Sequence, residues 1–60
     1  MKKWIVFNNA HINVDKIVYV RMMTSYVEIG LSQSWMHENF INEVELIRRY
    51  EEVLMELGIL

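Results

Sequence analysis

The sequence lacks several residue types that would point to a chemical function. It contains no cysteine and no proline, and two of its 60 residues are glycine. The absence of cysteine excludes disulfides and thiolate metal sites, and two glycines are too few for a glycine-rich phosphate-binding loop. With no proline, no low-complexity run and no linker, residues 1–60 are expected to form a single domain.

Long apolar runs and concentrated positive charge are missing as well. The apolar run after the first lysines covers only residues 4–7, which is shorter than the roughly 7–15 residues of a secretion signal and the roughly 20 of a membrane span. The net charge is −2 and the six cationic residues are scattered, whereas nucleic-acid-binding domains are typically basic. We therefore expect a soluble, cytoplasmic protein without a membrane partner, and a nucleic-acid-binding regulator is disfavoured.

Apolar residues are what the chain has in excess. They make up 53% of the sequence, against about 45–50% in ordinary soluble domains. A domain of this size buries only roughly 60% of its unfolded surface, so small domains add disulfides, a metal or a partner subunit. Disulfides are excluded here, and homo-oligomerisation is the expected supplement.

The first half of the chain alternates as strands do, over about residues 3–32. The run at residues 4–7 ends in Asn8 and Asn9, which tolerate the left-handed backbone of turns. The segment IVYVRMMTSYVEIGLS predicts a hairpin, because one register makes one of its faces wholly aliphatic and a one-residue slip would mix the faces. The pairs of that register are Val18 with Leu31, Val20 with Ile29, Met22 with Val27, Arg21 with Glu28, and Tyr19 with Gly30.

From Ser34 onward the periodicity becomes helical. Ser34 is a candidate N-cap and Gly58 a candidate C-terminal stop, and no helix breaker lies between them. The pattern predicts one helix over about residues 35–57. The expected fold class is α+β, with a small antiparallel β-meander of about three strands packed against one long C-terminal α-helix, in the order β-β-β-α.

The predicted helix carries two apolar stripes. At about 100° per residue, the first stripe suits the aliphatic face of the hairpin and consists of Met36, Phe40, Val44, Ile47 and Leu54. The second stripe lies beside it and consists of Trp35, Leu46, Tyr50, Val53 and Leu57. Together they span an arc of about 200°, which is nearly twice what a helix needs to cover a sheet.

The second stripe has two explanations. Either the first strand and the loops cover it within one chain, or a second copy of the chain covers it. Leaving it in water would forgo about 1.5–3 kcal/mol for each large side chain. We favour the second copy, so these five residues are the predicted self-association interface. A Val53→Asp change is then expected to alter the oligomeric state before it unfolds the sheet.

Patterns typical of catalysis or metal binding are missing from the sequence. His11 and His37 have no spacing to carboxylates that matches a metal motif. Ser32 and Ser34 lack the flanking glycines that expose a nucleophile. We interpret both histidines as surface residues and expect no enzyme activity, no metal and no cofactor.

The hairpin face opposite the aliphatic one is the predicted partner or ligand face, and it carries Tyr19, Arg21, Tyr26 and Glu28. Aromatic rings beside an arginine can stack on a base or hold a peptide, and the same residue types are enriched in the cores of subunit interfaces. An ordinary half-exposed sheet face with a cross-strand ion pair is the remaining interpretation.

The segment NNAHINVDKIVYV resembles the strand, turn and Ile-Asn-x-Asp-x-Ile opening of small bacterial sheet proteins such as the FlbD-type flagellar regulators. It covers about a fifth of the chain and implies no function. The chain as a whole is similar to small cysteine-free proteins of phages and mobile elements, which implies inhibition or modulation of a host protein.

The functional hypothesis from the sequence is a small, non-enzymatic, homo-oligomeric binding protein that acts by protein–protein interaction. The alternative is an oligomer that binds or sequesters a nucleotide-like small molecule. Both follow from the surplus of apolar surface and from the absence of a catalytic pattern.

Overall fold

The computed structural model describes residues 2–60 and confirms the α+β class. Within these residues, five strands form two antiparallel sheets and one α-helix follows them. The elements in chain order are β1 (Trp4–Phe7), β2 (Ala10–Asn13), a 3₁₀ turn (Val14–Lys16), β3 (Ile17–Met22), β4 (Tyr26–Leu31), β5 (Trp35–Asn39) and α1 (Glu43–Glu56).

The first sheet is the hairpin of β1 and β2. Asn8 and Asn9 connect its strands with backbone φ angles of 50° and 63°, so the predicted left-handed turn is confirmed. Positive φ at both central residues is the property of a type I′ turn, whose twist matches that of paired strands. Ile5, Phe7 and Ile12 of this hairpin are buried.

The second sheet is the meander β3-β4-β5. Four predicted pairs of its first hairpin are confirmed: Tyr19 with Gly30, Val20 with Ile29, Arg21 with Glu28, and Met22 with Val27. The fifth predicted pair, Val18 with Leu31, is wrong. The register shifts after Ile17, which pairs with Leu31 instead, and Val18 becomes the extra residue of a β-bulge, 66% exposed.

Residues 35–39 form a strand rather than the first turns of the helix. They pair with β4 in antiparallel register, so the prediction of a helix over residues 35–57 is wrong at its start. Ser34 is not an N-cap. It lies in the turn between β4 and β5, where its carbonyl oxygen accepts a hydrogen bond from the Leu31 amide at 2.8 Å.

The helix α1 has a cap at each end. Asn42 is its N-cap, and the Asn42 side chain accepts a hydrogen bond from the Val44 amide at 2.7 Å. At the other end, Gly58 has a φ of 79°, and the Ile59 amide donates to the Leu54 carbonyl at 2.9 Å. This is the Schellman arrangement, and the predicted stop at Gly58 is confirmed.

One apolar core joins the meander, the helix and the first hairpin. Its fully buried members are Ile5, Phe7, Ile12, Val27, Ile29, Leu46, Val53 and Leu57. The helix therefore turns its second stripe inward, while Val44 and Ile47 of the first stripe are 62% and 38% exposed. The prediction that the first stripe covers the sheet is wrong for these two residues, because the second stripe packs on the meander instead.

Candidate binding face of the meander sheet

One face of the meander is turned away from the core. Side chains alternate along a strand, so the residues that alternate with the buried Val27 and Ile29, and with their neighbours on β3 and β5, share this face. We call it the open face, and it carries Tyr19, Arg21, Tyr26, Glu28, Gly30, Trp35, His37 and Asn39. All four residues predicted for the partner or ligand face are therefore on one surface.

Glu28 is a buried charge within the open face, with 3% of its surface exposed. Its carboxylate oxygen Oε2 accepts a hydrogen bond from the Tyr19 hydroxyl at 2.5 Å and lies 2.9 Å from the Arg21 guanidinium. Its other oxygen, Oε1, is 2.6 Å from Nε2 of His37. That nitrogen carries a hydrogen, because an ionised carboxylate can only accept. One carboxylate thus fixes three side chains from β3 and β5.

These hydrogen bonds move the pKa values of two partners apart. The bonds from Tyr19 and then from His37 lower the pKa of Glu28 below its ordinary value of 4.5, against the opposing effect of burial. The same bond to Glu28 raises the pKa of Tyr19 above its ordinary value of 10.0. At neutral pH, Glu28 is therefore an anion and Tyr19 a neutral phenol.

Three rings are stacked across β4 and β5. The His37 ring lies between Tyr26, at a centroid distance of 4.0 Å, and Trp35, at 4.3 Å. Stacking of this kind holds each ring in one orientation. Trp35 nevertheless remains 61% exposed, so it is the most exposed of the three rings.

The remaining aromatic residue of the open face, Tyr19, lies over Gly30. A Cβ atom at Gly30 would be 1.8 Å from Cε2 of the Tyr19 ring, so a larger residue there would displace the ring. The Arg21 guanidinium lies 5.4 Å from the centroid of the same ring, within the range of a cation–π interaction. The Tyr19 ring is therefore engaged by two neighbours.

A second charged cluster fastens α1 and the first hairpin to β5. Arg49 forms an ion pair with Glu38 at 2.7 Å, donates to the Val6 carbonyl at 2.7 Å, and lies 5.5 Å from the centroid of the Phe7 ring. The hydrogen bond to Glu38 raises the pKa of Arg49. Glu38 also accepts a hydrogen bond from the Asn8 amide at 2.8 Å. Because these contacts join three elements, we assign this cluster a structural role.

A groove runs along the exposed side of α1. Its lining consists of Lys2, Arg48, Glu51, Glu52, Met55 and Glu56. Three carboxylates outnumber two cations there, and an excess of negative charge repels the phosphate groups of a nucleotide. The groove therefore gives no support to the nucleotide-binding alternative.

The five residues predicted for self-association do not form one surface. Leu46, Val53 and Leu57 are 4%, 0% and 9% exposed and belong to the core of their own chain, and Tyr50 packs against that core. Trp35 lies on β5, on the open face. The physical reason is that the second stripe packs in one core with the two sheets of its own chain, so a charge at Val53 would unfold the domain rather than dissociate an oligomer.

Trp35 and His37 are the open-face residues that the sequence interpretation missed, because both were assigned to the helix. A signal for them exists in the segment SWMHENF. There, Trp35, His37 and Asn39 alternate with Met36 and Glu38 at the period of a strand.

Comparison with known proteins adds no information about the open face. No family model, no curated protein and no solved structure matches the chain. Within residues 2–60, no group of three or more His, Asp or Glu side chains is placed to hold a metal ion. Over the same residues, no helix is long and apolar enough to cross a membrane.

Proposed function

We propose that the protein is a non-enzymatic binding protein whose open face docks onto another protein. The observation that carries this proposal is the exposed Trp35 ring, 61% accessible and stacked on His37. Trp, Tyr and Arg are the residue types enriched among those that dominate binding energy at protein interfaces. Rings that are fixed before binding lose little conformational freedom when a partner docks.

The way the rings are stacked favours a protein partner over nucleobases. Stacking of successive bases requires aromatic rings with free faces. His37 is enclosed between two rings, and Tyr19 is engaged by Gly30 and Arg21. The open face therefore offers solvent one prominent tryptophan, ring edges and a guanidinium, which suit the mixed apolar and polar surface of a protein.

The charge states of the Glu28 cluster support binding rather than catalysis. General acids and bases are most effective when their pKa lies near the operating pH. The pKa of Glu28 is lowered and that of Tyr19 is raised, so both move away from neutrality. Glu28 instead holds Tyr19, Arg21 and His37 in place, which gives the open face a defined shape.

Affinity capture with paired tryptophan variants tests the proposal. The chain has two tryptophans, and Trp4, 53% exposed on β1, is a matched control for Trp35. Proteins retained from a lysate of the native cells by the wild type and by Trp4→Ala, but lost with Trp35→Ala, are the expected result. Equal retention by both variants, each shown to be folded by circular dichroism, would contradict it.

A further inference from the structure

We infer that the outer side of α1 pairs with the same helix of a second copy of the chain, in antiparallel orientation. The helix side opposite the buried Leu46 and Val53 carries residues at successive steps of four, three and four positions, which fall on one line along a helix. We call them the outer strip, and they are Val44, Arg48, Glu51 and Met55. This surface is separate from the open face, and three of its four residues also line the groove described above.

All four residues of the outer strip are exposed. Val44 and Met55 are 62% and 64% exposed, and the Arg48 side chain is 67% exposed. Single exposed apolar residues are ordinary on a protein surface. Here the apolar residues stand at the two ends of the strip and opposite charges stand between them, which is an ordered arrangement.

The outer strip is complementary to the same strip of a second copy that runs in the opposite direction. A two-fold axis perpendicular to α1 and midway between Arg48 and Glu51 reverses the order of the strip, as a symmetric dimer requires. Arg48 of each copy then faces Glu51 of the other, and Val44 of each copy faces Met55 of the other. A parallel pair would set Arg48 against Arg48 and Glu51 against Glu51, and like charges facing each other across an interface are unfavourable.

An exposed apolar residue, Ile41, extends the contact beyond the strip. Ile41, just before α1, has a relative exposure of 108%. The antiparallel arrangement brings Ile41 of each copy to the C-terminal end of α1 of the other copy. Burial of this side chain adds to the favourable free energy of association.

The present partner of Arg48 does not prevent this pairing. Arg48 lies 3.3 Å from Glu45 within the same helix, and both side chains are more than half exposed. Exposed ion pairs of this kind contribute little to stability, so exchange for an intermolecular partner costs little. Because α1 packs on the core side of the meander, such a dimer carries two open faces directed away from the contact, and it can bind two partners at once.

Charge reversal tests the pairing. We expect the wild type to show twice the monomer mass of 7.3 kDa at high concentration in sedimentation or light-scattering measurements. Arg48→Glu and Glu51→Arg each set like charges against each other in a self-pair, so each is expected to fall to 7.3 kDa. Lys16→Glu changes the net charge by as much as Arg48→Glu does, but outside the helix, and should stay dimeric.

An equal mixture of the two single variants gives the sharpest result. In the mixed antiparallel pair, the two reversed charges face each other with opposite signs, and the unaltered Glu51 of one copy faces the unaltered Arg48 of the other, so a dimer should return although each variant alone is monomeric. Mixing leaves charges within each helix unchanged, so an effect confined to one helix cannot produce this rescue. A monomeric wild type, dimeric single variants, or a mixture that stays monomeric would overturn the proposal.

A valine pair adds a measurement that does not depend on charge pairing. Val44→Asp places a charge in the outer strip and should shift the mass to that of the monomer. Val18→Asp makes the same change at a position of similar exposure, 66% against 62%, outside the strip, and should leave the dimer intact. The same mass for both variants would contradict the assignment of the strip.

Discussion

Replacing Val53 by alanine tests which side of α1 faces the core. Val53 is 0% exposed and lies within the core cluster. The change removes two buried carbon atoms, which corresponds to about 1.6 kcal/mol at about 0.8 kcal/mol per methylene. The cavity that remains adds to this loss, so we expect the free energy of unfolding to fall by about 2 kcal/mol.

A loss of that size is readily measured in so small a domain. At about 0.05–0.15 kcal/mol per residue, a chain of 60 residues has a total stability of about 3–9 kcal/mol. A change of 1 kcal/mol shifts the Tm of a small domain by about 4–8 °C. Val53→Ala should therefore lower the Tm by roughly 8–16 °C, as followed by the helical circular dichroism signal.

Val44→Ala is the matched control, because it is the same change in the same helix at a residue that is 62% exposed. Substitutions at such positions usually change stability by less than about 0.5 kcal/mol. Urea unfolding of both variants, at a protein concentration low enough for the chain to be monomeric, gives the comparison directly. If Val44→Ala destabilised the domain as much as Val53→Ala did, the assignment of the buried and exposed sides of α1 would be refuted.

Three further changes test the Glu28 cluster. Because the pKa of Glu28 is lowered, its ionised form stabilises the fold above pH 4.5, and this contribution is lost as the pH falls through the lower pKa of the folded state. Glu28→Gln should therefore make the free energy of unfolding less dependent on pH in the acid range. An unchanged pH dependence would count against the cluster. Tyrosine absorbance should show the raised pKa of Tyr19 as an ionisation step above pH 10.0, and this step should disappear in Tyr19→Phe. Gly30→Ala should displace the Tyr19 ring, which lies 1.8 Å from where the new Cβ would be, and lower the Tm, whereas in a Tyr19→Ala background the same change should have little effect.

The register of the β3–β4 hairpin is predictable because it depends on local alternation. A single register separates the aliphatic residues from Tyr19, Arg21 and Glu28, and the structure has four of the five predicted pairs. The bulge at Val18 is not predictable in this way. Ile17 and Val18 are adjacent apolar residues, and the local pattern does not decide which of them pairs with the next strand.

The strand β5 is not predictable from the residue pattern, because residues 35–39 fit both a strand and a helix period. Ser34 also imitates an N-cap, and no glycine or proline marks the loop that follows β5. The better signal for the helix start is Asn42 with acidic residues in the first turn. If the helix is started at Ser34 instead of Asn42, Trp35 is assigned to the helix, and the most exposed ring of the open face is missing from the predicted binding face.

The local sequence does not indicate which stripe of α1 is buried, because this depends on tertiary packing. Both stripes are apolar and continuous enough to cover a sheet. The buried Leu46 and Val53 share one core with side chains from both sheets, including Ile5, Phe7 and Ile12 from the other end of the chain. The surplus apolar surface expected from composition is therefore present, but on the other side of the helix.

The role of the open face is tested most directly with single-tryptophan variants. Trp4→Phe leaves Trp35 as the sole tryptophan, and Trp35→Phe leaves Trp4. On addition of a captured partner that lacks tryptophan, or whose emission is subtracted, we expect Trp35 emission to shift to shorter wavelength and to be protected from acrylamide quenching, while Trp4 is unchanged. Protection of Trp4 with Trp35 still accessible in the complex would show that the open face is not the binding surface.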